Sequence, residues 1–193
     1  MRPFNDLGID TAVLKSIEEL GFEEPMPVQE KVIPLVLETE NDLIGLAQTG
    51  TGKTAAFGLP IIQLVNPNET HTQALILAPT RELCLQISGH MKSFAKYLSG
   101  INIVAVYGGA DISRQIAALK RGAQIIVATP GRMNDLLNKR GKIDLSFLSM
   151  VVLDEADEML SMGFKEELDA ILDQTPEHRR TLLFSATMPA EVE

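Results

Sequence analysis

The residues Ala47-Gln48-Thr49-Gly50-Thr51-Gly52-Lys53-Thr54 constrain this chain more than any others. They follow an apolar run, Leu43-Ile44-Gly45-Leu46, and lead into a stretch with helical character from Thr54 to Val65. Strand, small turn and helix make the layout of a phosphate-binding loop, in which the free N–H groups of a helix N-terminus face an anion. Gly50 and Gly52 lack the Cβ that would hold the backbone away from a ligand. Lys53 is placed to set a point charge on the β- and γ-phosphates, and the Thr54 hydroxyl to complete a Mg²⁺ coordination sphere. Ala47 stands where the strict pattern has glycine, so the match relies there on the small size of alanine. A Gly/Thr-rich surface loop is the alternative, and the rest of the chain weighs against it.

At 193 residues the chain suits one domain with a real hydrophobic core. No apolar run approaches a membrane span, and Met1-Arg2-Pro3-Phe4-Asn5-Asp6 opens without the apolar core of a signal peptide. The single cysteine, Cys84, excludes an intramolecular disulfide framework, and a cytoplasmic α/β protein, monomeric and free of membrane, is expected. The net charge of −9 argues at first against a polyanionic partner. Its distribution is uneven: residues 1–40 carry 3 basic and 9 acidic groups, residues 41–149 carry 11 and 6, and residues 150–173 carry 1 and 8. A basic middle between acidic flanks permits a nucleic-acid surface, and a mixed solvated face would look similar.

Taken in order, Asp10 or Thr11 can cap a short helix bearing Val13, Leu14, Ile17 and Leu20, stopped by Gly21. Pro25 and Pro27 fix an extended entry and a second helix start near Pro27. Pro60 is expected to kink the helix after the loop. Five further apolar runs follow: Ala74–Ala78, Ile101–Val106, Ile125–Ala128, Met150–Leu153 and Leu182–Phe184. Such near-continuous Val, Ile and Leu runs are what parallel strands covered on both faces require. The fold class is a single doubly wound α/β domain with a parallel sheet, spanning residues 1–193. Each run ends in a polar or small-residue segment, and in a parallel sheet all those ends lie on one edge, where ligands bind.

Those segments carry chemistry. Asp154 ends an apolar run, where a phosphate-loop enzyme needs a carboxylate for Mg²⁺, held partly through water. Glu155 could orient or deprotonate an attacking water, though an acidic helix N-terminus would look the same. Ser185 and Thr187 could hydrogen-bond Asp157 and report the state of the nucleotide site. Arg81, Gly108, Gly109, Thr129, Gly131 and Arg132 form a phosphate-contacting set of forks, hydroxyls and bare backbone. With aromatic residues at 5% and no tryptophan, base stacking is not expected to be the main source of affinity.

Ala47–Thr54, Pro79-Thr80-Arg81-Glu82-Leu83, Gly108-Gly109, Thr129-Pro130-Gly131-Arg132, Asp154-Glu155-Ala156-Asp157 and Ser185-Ala186-Thr187, in this order, resemble the N-terminal RecA-like domain of the DEAD-box RNA helicases. The resemblance covers essentially the whole chain. It implies an ATP- and Mg²⁺-dependent enzyme that remodels RNA. By it, residues 1–40 hold the adenine-recognition element, with Gln29 on the adenine edge and Phe4 or Phe22 packed on or near the base. The loop Ala47, Gln48, Thr49, Gly50, Thr51, Gly52, Lys53 and Thr54 holds the phosphates, with Lys53 also catalytic. Asp154 holds the metal together with Thr54, and Glu155 activates water. The resemblance also gives Pro79, Thr80, Arg81, Gly108, Gly109, Thr129, Pro130, Gly131 and Arg132 to the RNA backbone, and Asp157, Ser185 and Thr187 to coupling hydrolysis with strand separation.

Three departures stand out. Met26 replaces the usual Ser or Thr, removing a hydroxyl toward the phosphate loop, and Glu158 stands where a basic residue is frequent. Nothing before Glu193 matches the family's second RecA-like domain, which supplies arginine fingers and half of the RNA site. Such arginines contribute roughly 10³–10⁵ in rate, so this chain is expected to hold nucleotide but turn it over slowly alone. The competing readings are a nucleotide- or RNA-binding module that never hydrolyses, and a related translocase domain acting on DNA.

Overall fold

The computed structural model describes residues 3–138, 143–188 and 190. Every apolar run becomes a strand: β1 (Leu43–Leu46), β2 (Ala74–Leu77), β3 (Ile103–Val106), β4 (Ile125–Ala128), β5 (Met150–Leu153) and β6 (Arg180–Ser185). After a short 3-10 helix (Phe4–Leu7) the helices are α1 (Thr11–Glu19), α2 (Pro27–Glu38), α3 (Lys53–Leu64), α4 (Arg81–Phe94), α5 (Ile112–Lys120), α6 (Pro130–Asn138), α7 (Ala156–Ser161) and α8 (Lys165–Leu172). The strands form one sheet in the order β1-β6-β5-β2-β4-β3, and every neighbouring pair is parallel. This is the doubly wound α/β architecture expected.

Strand geometry alternates side chains between the two faces, and each face has its own core. Ala74, Ile76 and Ala78 pack with Val13, Ile33, Phe57 and Ile87 from α1 to α4. Leu75 and Leu77 pack with Met133, Leu136, Leu168 and Ile171 from α6 and α8. β2, β4 and β5 are buried along their whole length, as their composition requires. β1, one of the two edge strands, differs in being covered on one face only: Ile44 and Leu46 remain 57% and 64% exposed. Coverage of both faces therefore fails for β1, since a strand's place in the sheet is not written in its own residues.

α3 continues as one helix through Pro60. The proline forfeits one intrahelical N–H bond, but the residues from Ala55 to Ile62 are all buried, so packing holds the turn together. Arg180, at the start of β6, clamps the end of α2: Nη1 donates to the Val36 carbonyl at 2.7 Å and Nη2 to that of Leu35 at 3.0 Å. Both lie in the last turn; the Leu35 carbonyl also accepts from the Thr39 N–H at 3.2 Å, while that of Val36 is among those a helix end leaves without an intrahelical donor.

Candidate nucleotide pocket and strand-end loops

The turn between β1 and α3 takes its shape from two left-handed glycines, Gly50 (φ 81°) and Gly52 (φ 85°). At Gly52 a Cβ would lie 2.5 Å from Gln29 Nε2 and 2.7 Å from the Met26 sulfur, so no larger residue fits. At Gly50 a Cβ would meet nothing within 4 Å, which leaves open space above the loop. α3 begins at Lys53, and its first capped N–H is that of Ala56, donated to the Gly52 carbonyl at 3.1 Å. The N–H groups of Lys53, Thr54 and Ala55 thus have no partner within the helix, the arrangement that makes a helix N-terminus receptive to an anion.

Lys53 is buried and its Nζ lies 3.4 Å from Asp154 Oδ1 at the end of β5. Burial pushes the Asp154 carboxyl above its ordinary range; the Lys53 ammonium pulls it down and the neighbouring Glu155 pushes it up again. Among the described residues Glu155 alone combines a side chain with a positive φ (φ 52°, ψ 52°). A left-handed glutamate costs on the order of 1–2 kcal/mol, and the β5–α7 turn holds it there. Its Oε1 accepts a long hydrogen bond from the Thr49 hydroxyl at 3.4 Å, which ties the phosphate loop to the acidic segment.

Asp157 joins β6 to the same segment. Its Oδ2 accepts from both the Thr187 hydroxyl (2.8 Å) and the Thr187 N–H (3.0 Å), while its own N–H donates to the Ser185 hydroxyl at 3.2 Å. Burial alone would raise its carboxyl, but these hydrogen bonds outweigh that and hold it below the ordinary range.

A cavity of about 990 Å³ opens above Lys53, lined by Phe22, Met26, Gln29, Thr54, Asp154 and Glu155 among others. Gln29 is buried, with Oε1 accepting from the Met26 N–H at 2.8 Å and Nε2 donating to the Gly52 carbonyl at 3.2 Å. It therefore caps α2 and anchors the phosphate loop at once, a dual use that local sequence did not reveal. Met26 packs its sulfur beside Gly52 in the place where a hydroxyl was expected. Phe22 reaches the cavity; Phe4 is buried behind it, with ring centroids 6.1 Å apart, and is not part of the lining. Leu83, Gln86, His90 and Phe94 of α4 complete the wall, and only the tertiary packing brings them there.

The remaining strand ends lie across the other half of the edge. Thr80 caps α4 by accepting the Leu83 N–H at 3.2 Å, and Pro79 precedes it. The Arg81 guanidinium sits 5.1 Å above the Tyr107 ring. Arg132 directs Nη1 and Nη2 to the Ala110 carbonyl, both at 3.2 Å, and Nη1 also to Gln115 Oε1 at 3.1 Å. Arg132 thus holds the loop after Gly109, which has φ 77°. Thr129 opens α6 by accepting the Met133 N–H at 3.1 Å, and Pro130 is its first residue. Gly108 and Gly131 have ordinary backbone angles, and a Cβ at either would meet nothing within 4 Å.

The family model for DEAD/DEAH box helicases matches residues 26–193. The chain is 53% identical over 189 residues to the ATP-dependent RNA helicase CshA of Listeria monocytogenes, covering 98% of this chain and 36% of that protein. It is 51% identical to the ATP-dependent RNA helicase DeaD of Escherichia coli, covering 98% of this chain and 30% of that one. The chain thus spans about a third of the length of these relatives. Among solved structures, a DEAD box protein from Methanococcus jannaschii superposes with a TM-score of 0.93 at 45% identity, over 98% of this chain and 51% of that one. A hypothetical ATP-dependent RNA helicase from Sulfolobus tokodaii gives a TM-score of 0.87 at 40% identity, over 95% and 53%.

Proposed function

Since the chain belongs to the DEAD/DEAH box helicase family and has its RecA-like fold, we propose that it is the nucleotide-binding part of an ATP-dependent RNA helicase. It binds ATP with Mg²⁺ in the cavity above Lys53 and an RNA backbone along the adjoining loops, and it works with a second RecA-like domain. The observation that carries this reading is the strand order. It gathers the ends of β1, β6 and β5, which carry Lys53, Asp154, Glu155 and Ser185, into one half of the edge, and those of β2, β4 and β3 into the other.

Each side chain then has a task it is equipped for. Gln29 keeps one N–H and one acceptor lone pair beyond its two intramolecular bonds, and the adenine edge offers an acceptor at N7 and a donor at N6. Phe22 lines the same end of the cavity and offers a face to the base. Lys53 and the open N–H groups of α3 neutralise phosphate charge. Glu155 accepts a proton from the attacking water. Asp157, bonded to Thr187 and Ser185, links the acidic segment to β6, through which a change at the nucleotide is passed on.

The donor set fits Mg²⁺. Among the described residues no group of three or more His, Cys, Asp or Glu could cage a metal. A hard cation shared between substrate phosphates and one or two protein oxygens needs no such cage. Asp154 and Thr54 both line the cavity; Lys53 Nζ (3.4 Å) and the Glu155 N–H (3.0 Å) both fall on Asp154 Oδ1, leaving Oδ2 for the ion or its water. When bound, the ion supplies neutralisation of phosphate charge in the transition state.

Gly108 and Gly131 support the RNA reading. Neither backbone angle nor packing within the chain demands glycine at these positions, and glycine weakens a helix such as α6. Close approach of another molecule's backbone accounts for both. Calorimetric titration tests the whole: Mg²⁺-dependent binding of ATP with much weaker binding of GTP, and cross-linking of single-stranded RNA to Arg81 and Gly108, are expected. Equal affinity for the two nucleotides, or a preference for DNA at those residues, would overturn it. No helix among the described residues is long and apolar enough to cross a membrane, and we place the protein in the cytoplasm as a monomer.

A further inference from the structure

A second groove, of about 550 Å³, runs along the free edge of β3 between α4 and α5. Its charged lining residues are Lys92, Arg114 and Arg121, and no carboxylate lines it, although the whole chain carries −9. Arg114 is mostly exposed, with Asp111 3.9 Å away at the rim as its weak ion-pair partner. At the floor, Ser88 is buried and its hydroxyl has no hydrogen-bond partner among the described residues. Beside it is Gly89, in the interior of α4, where a Cβ would meet nothing within 4 Å. An unpaired hydroxyl, a helix-weakening glycine under open space and three cations are each unfavourable for the chain alone. Together they suit an anionic oxygen brought close to the α4 backbone.

The groove also has a direction. Tyr107 lines its upper end, and the same ring lies under Arg81 of the strand-end loops. Gln115, another lining residue, holds Arg132. Its amide also pairs with both backbone groups of Tyr107, accepting the N–H at 3.3 Å and donating to the carbonyl at 3.0 Å. That pairing occupies part of the sheet edge and disfavours an added peptide strand, which would need those groups free.

We propose that this groove is a second phosphate-binding surface, which takes the continuation of the RNA strand after it leaves the loops at Arg81, Gly108 and Gly109. The proposal rests on the RNA reading above. It makes the footprint on this chain longer than the strand-end loops alone provide, with Lys92, Arg114 and Arg121 each facing a phosphate.

The test measures binding of a short and a long oligouridine to the chain across a salt series. Three variants are compared: the combined Lys92→Gln, Arg114→Gln and Arg121→Gln substitution, Gly89→Met, which fills the groove without changing charge, and Arg81→Ala. Each phosphate contact contributes about 0.7 to the slope of log affinity against log salt for a single strand, so the triple variant should lower the slope for the long oligomer by about 2. Its affinity for the long oligomer should fall at least about tenfold at low salt, while the short oligomer and ATP bind as before. Gly89→Met should weaken the long oligomer alone, and Arg81→Ala should weaken both lengths. Unchanged long-oligomer binding in the triple and Gly89→Met variants would overturn the groove, as would equal weakening of both lengths by the triple variant. Displacement of nothing but a polyglutamate peptide by these substitutions would assign the groove to an acidic protein partner instead. If Arg81→Ala also had no effect, or no RNA bound, the RNA reading itself would fall.

Discussion

The two halves of the strand-end edge are built in opposite ways. Around β1, β6 and β5 the polar groups are interlocked: Lys53 with Asp154, Gln29 with the Gly52 carbonyl, Thr49 with Glu155, and Thr187 with Asp157. Around β2, β4 and β3 the surface is open, with Gly108 and Gly131 facing space and Arg81 resting on a ring. Depth and interlocking suit a compact, highly charged ligand, which needs preorganised groups held out of water. Openness suits a polymer that must enter and leave along its length. Arg132 marks the border between the two styles, an arginine on the open side that is tied down to shape a loop.

Breaking the interlocked half should give the largest effects. In a two-domain protein carrying this chain, Glu155→Gln is expected to keep ATP binding but lower turnover by about 10²–10⁴-fold in a steady-state ATPase assay. Retained turnover would remove Glu155 as the proton acceptor. Next, Lys53→Met leaves the Asp154 carboxyl buried without its cation. A stability loss of about 3 kcal/mol at neutral pH is expected, together with loss of ATP binding. The pH dependence has a definite sign. The folded-state value of Asp154 is already raised above its unfolded value, so its contribution favours folding at low pH and is lost as pH rises through the folded value. Removing Lys53, which pulls that value down, extends the loss to higher pH, and melting temperatures measured from acid to neutral should show it.

The open half predicts smaller and opposite effects. Gly131→Ala should stabilise the fold by about 0.5–1 kcal/mol in denaturant titration while weakening RNA binding, because the glycine serves something outside the chain. A stabilised variant with full RNA affinity would erase the contrast between the halves. The smallest effect belongs to the seam. Asp157 sits below its ordinary range, so its contribution is present above the unfolded value and lost as pH falls through the folded one. Thr187→Val removes one of the bonds that lower it, and the Asp157 titration, followed by carboxyl NMR, should move up toward the ordinary value.

Much of this was legible in the residues. Continuous Val, Ile and Leu runs named all six strands, because a buried parallel strand needs apolar side chains on both faces. The loop glycines were equally readable, since left-handed backbone at Gly50 and Gly52 is costly for other residues. Less visible was anything that depends on who neighbours whom. The exposure of Ile44 and Leu46 follows from one face of the edge strand β1 being left uncovered, whereas β3 at the opposite edge has no exposed residue. Phe4 and Phe22 look alike in sequence, yet only Phe22 reaches the cavity. The positive φ of Glu155 has no local signal at all, because glutamate does not choose it; the flanking strand and helix impose it.

By itself the sequence determined the chemistry available and the edge on which it would gather: parallel strands must present their C-terminal ends together, and each apolar run here is followed by a reactive or phosphate-fitting segment. Tertiary structure decided how that edge is divided. The order β1-β6-β5-β2-β4-β3 sets the loop after β1 close to Asp154 and Glu155 after β5, and the packing of Phe22, Gln29 and the α4 side chains Leu83, Gln86, His90 and Phe94 closes the pocket around them. Strand order is a property of long-range packing, set by which helices cover which face, and short-range periodicity carries no record of it.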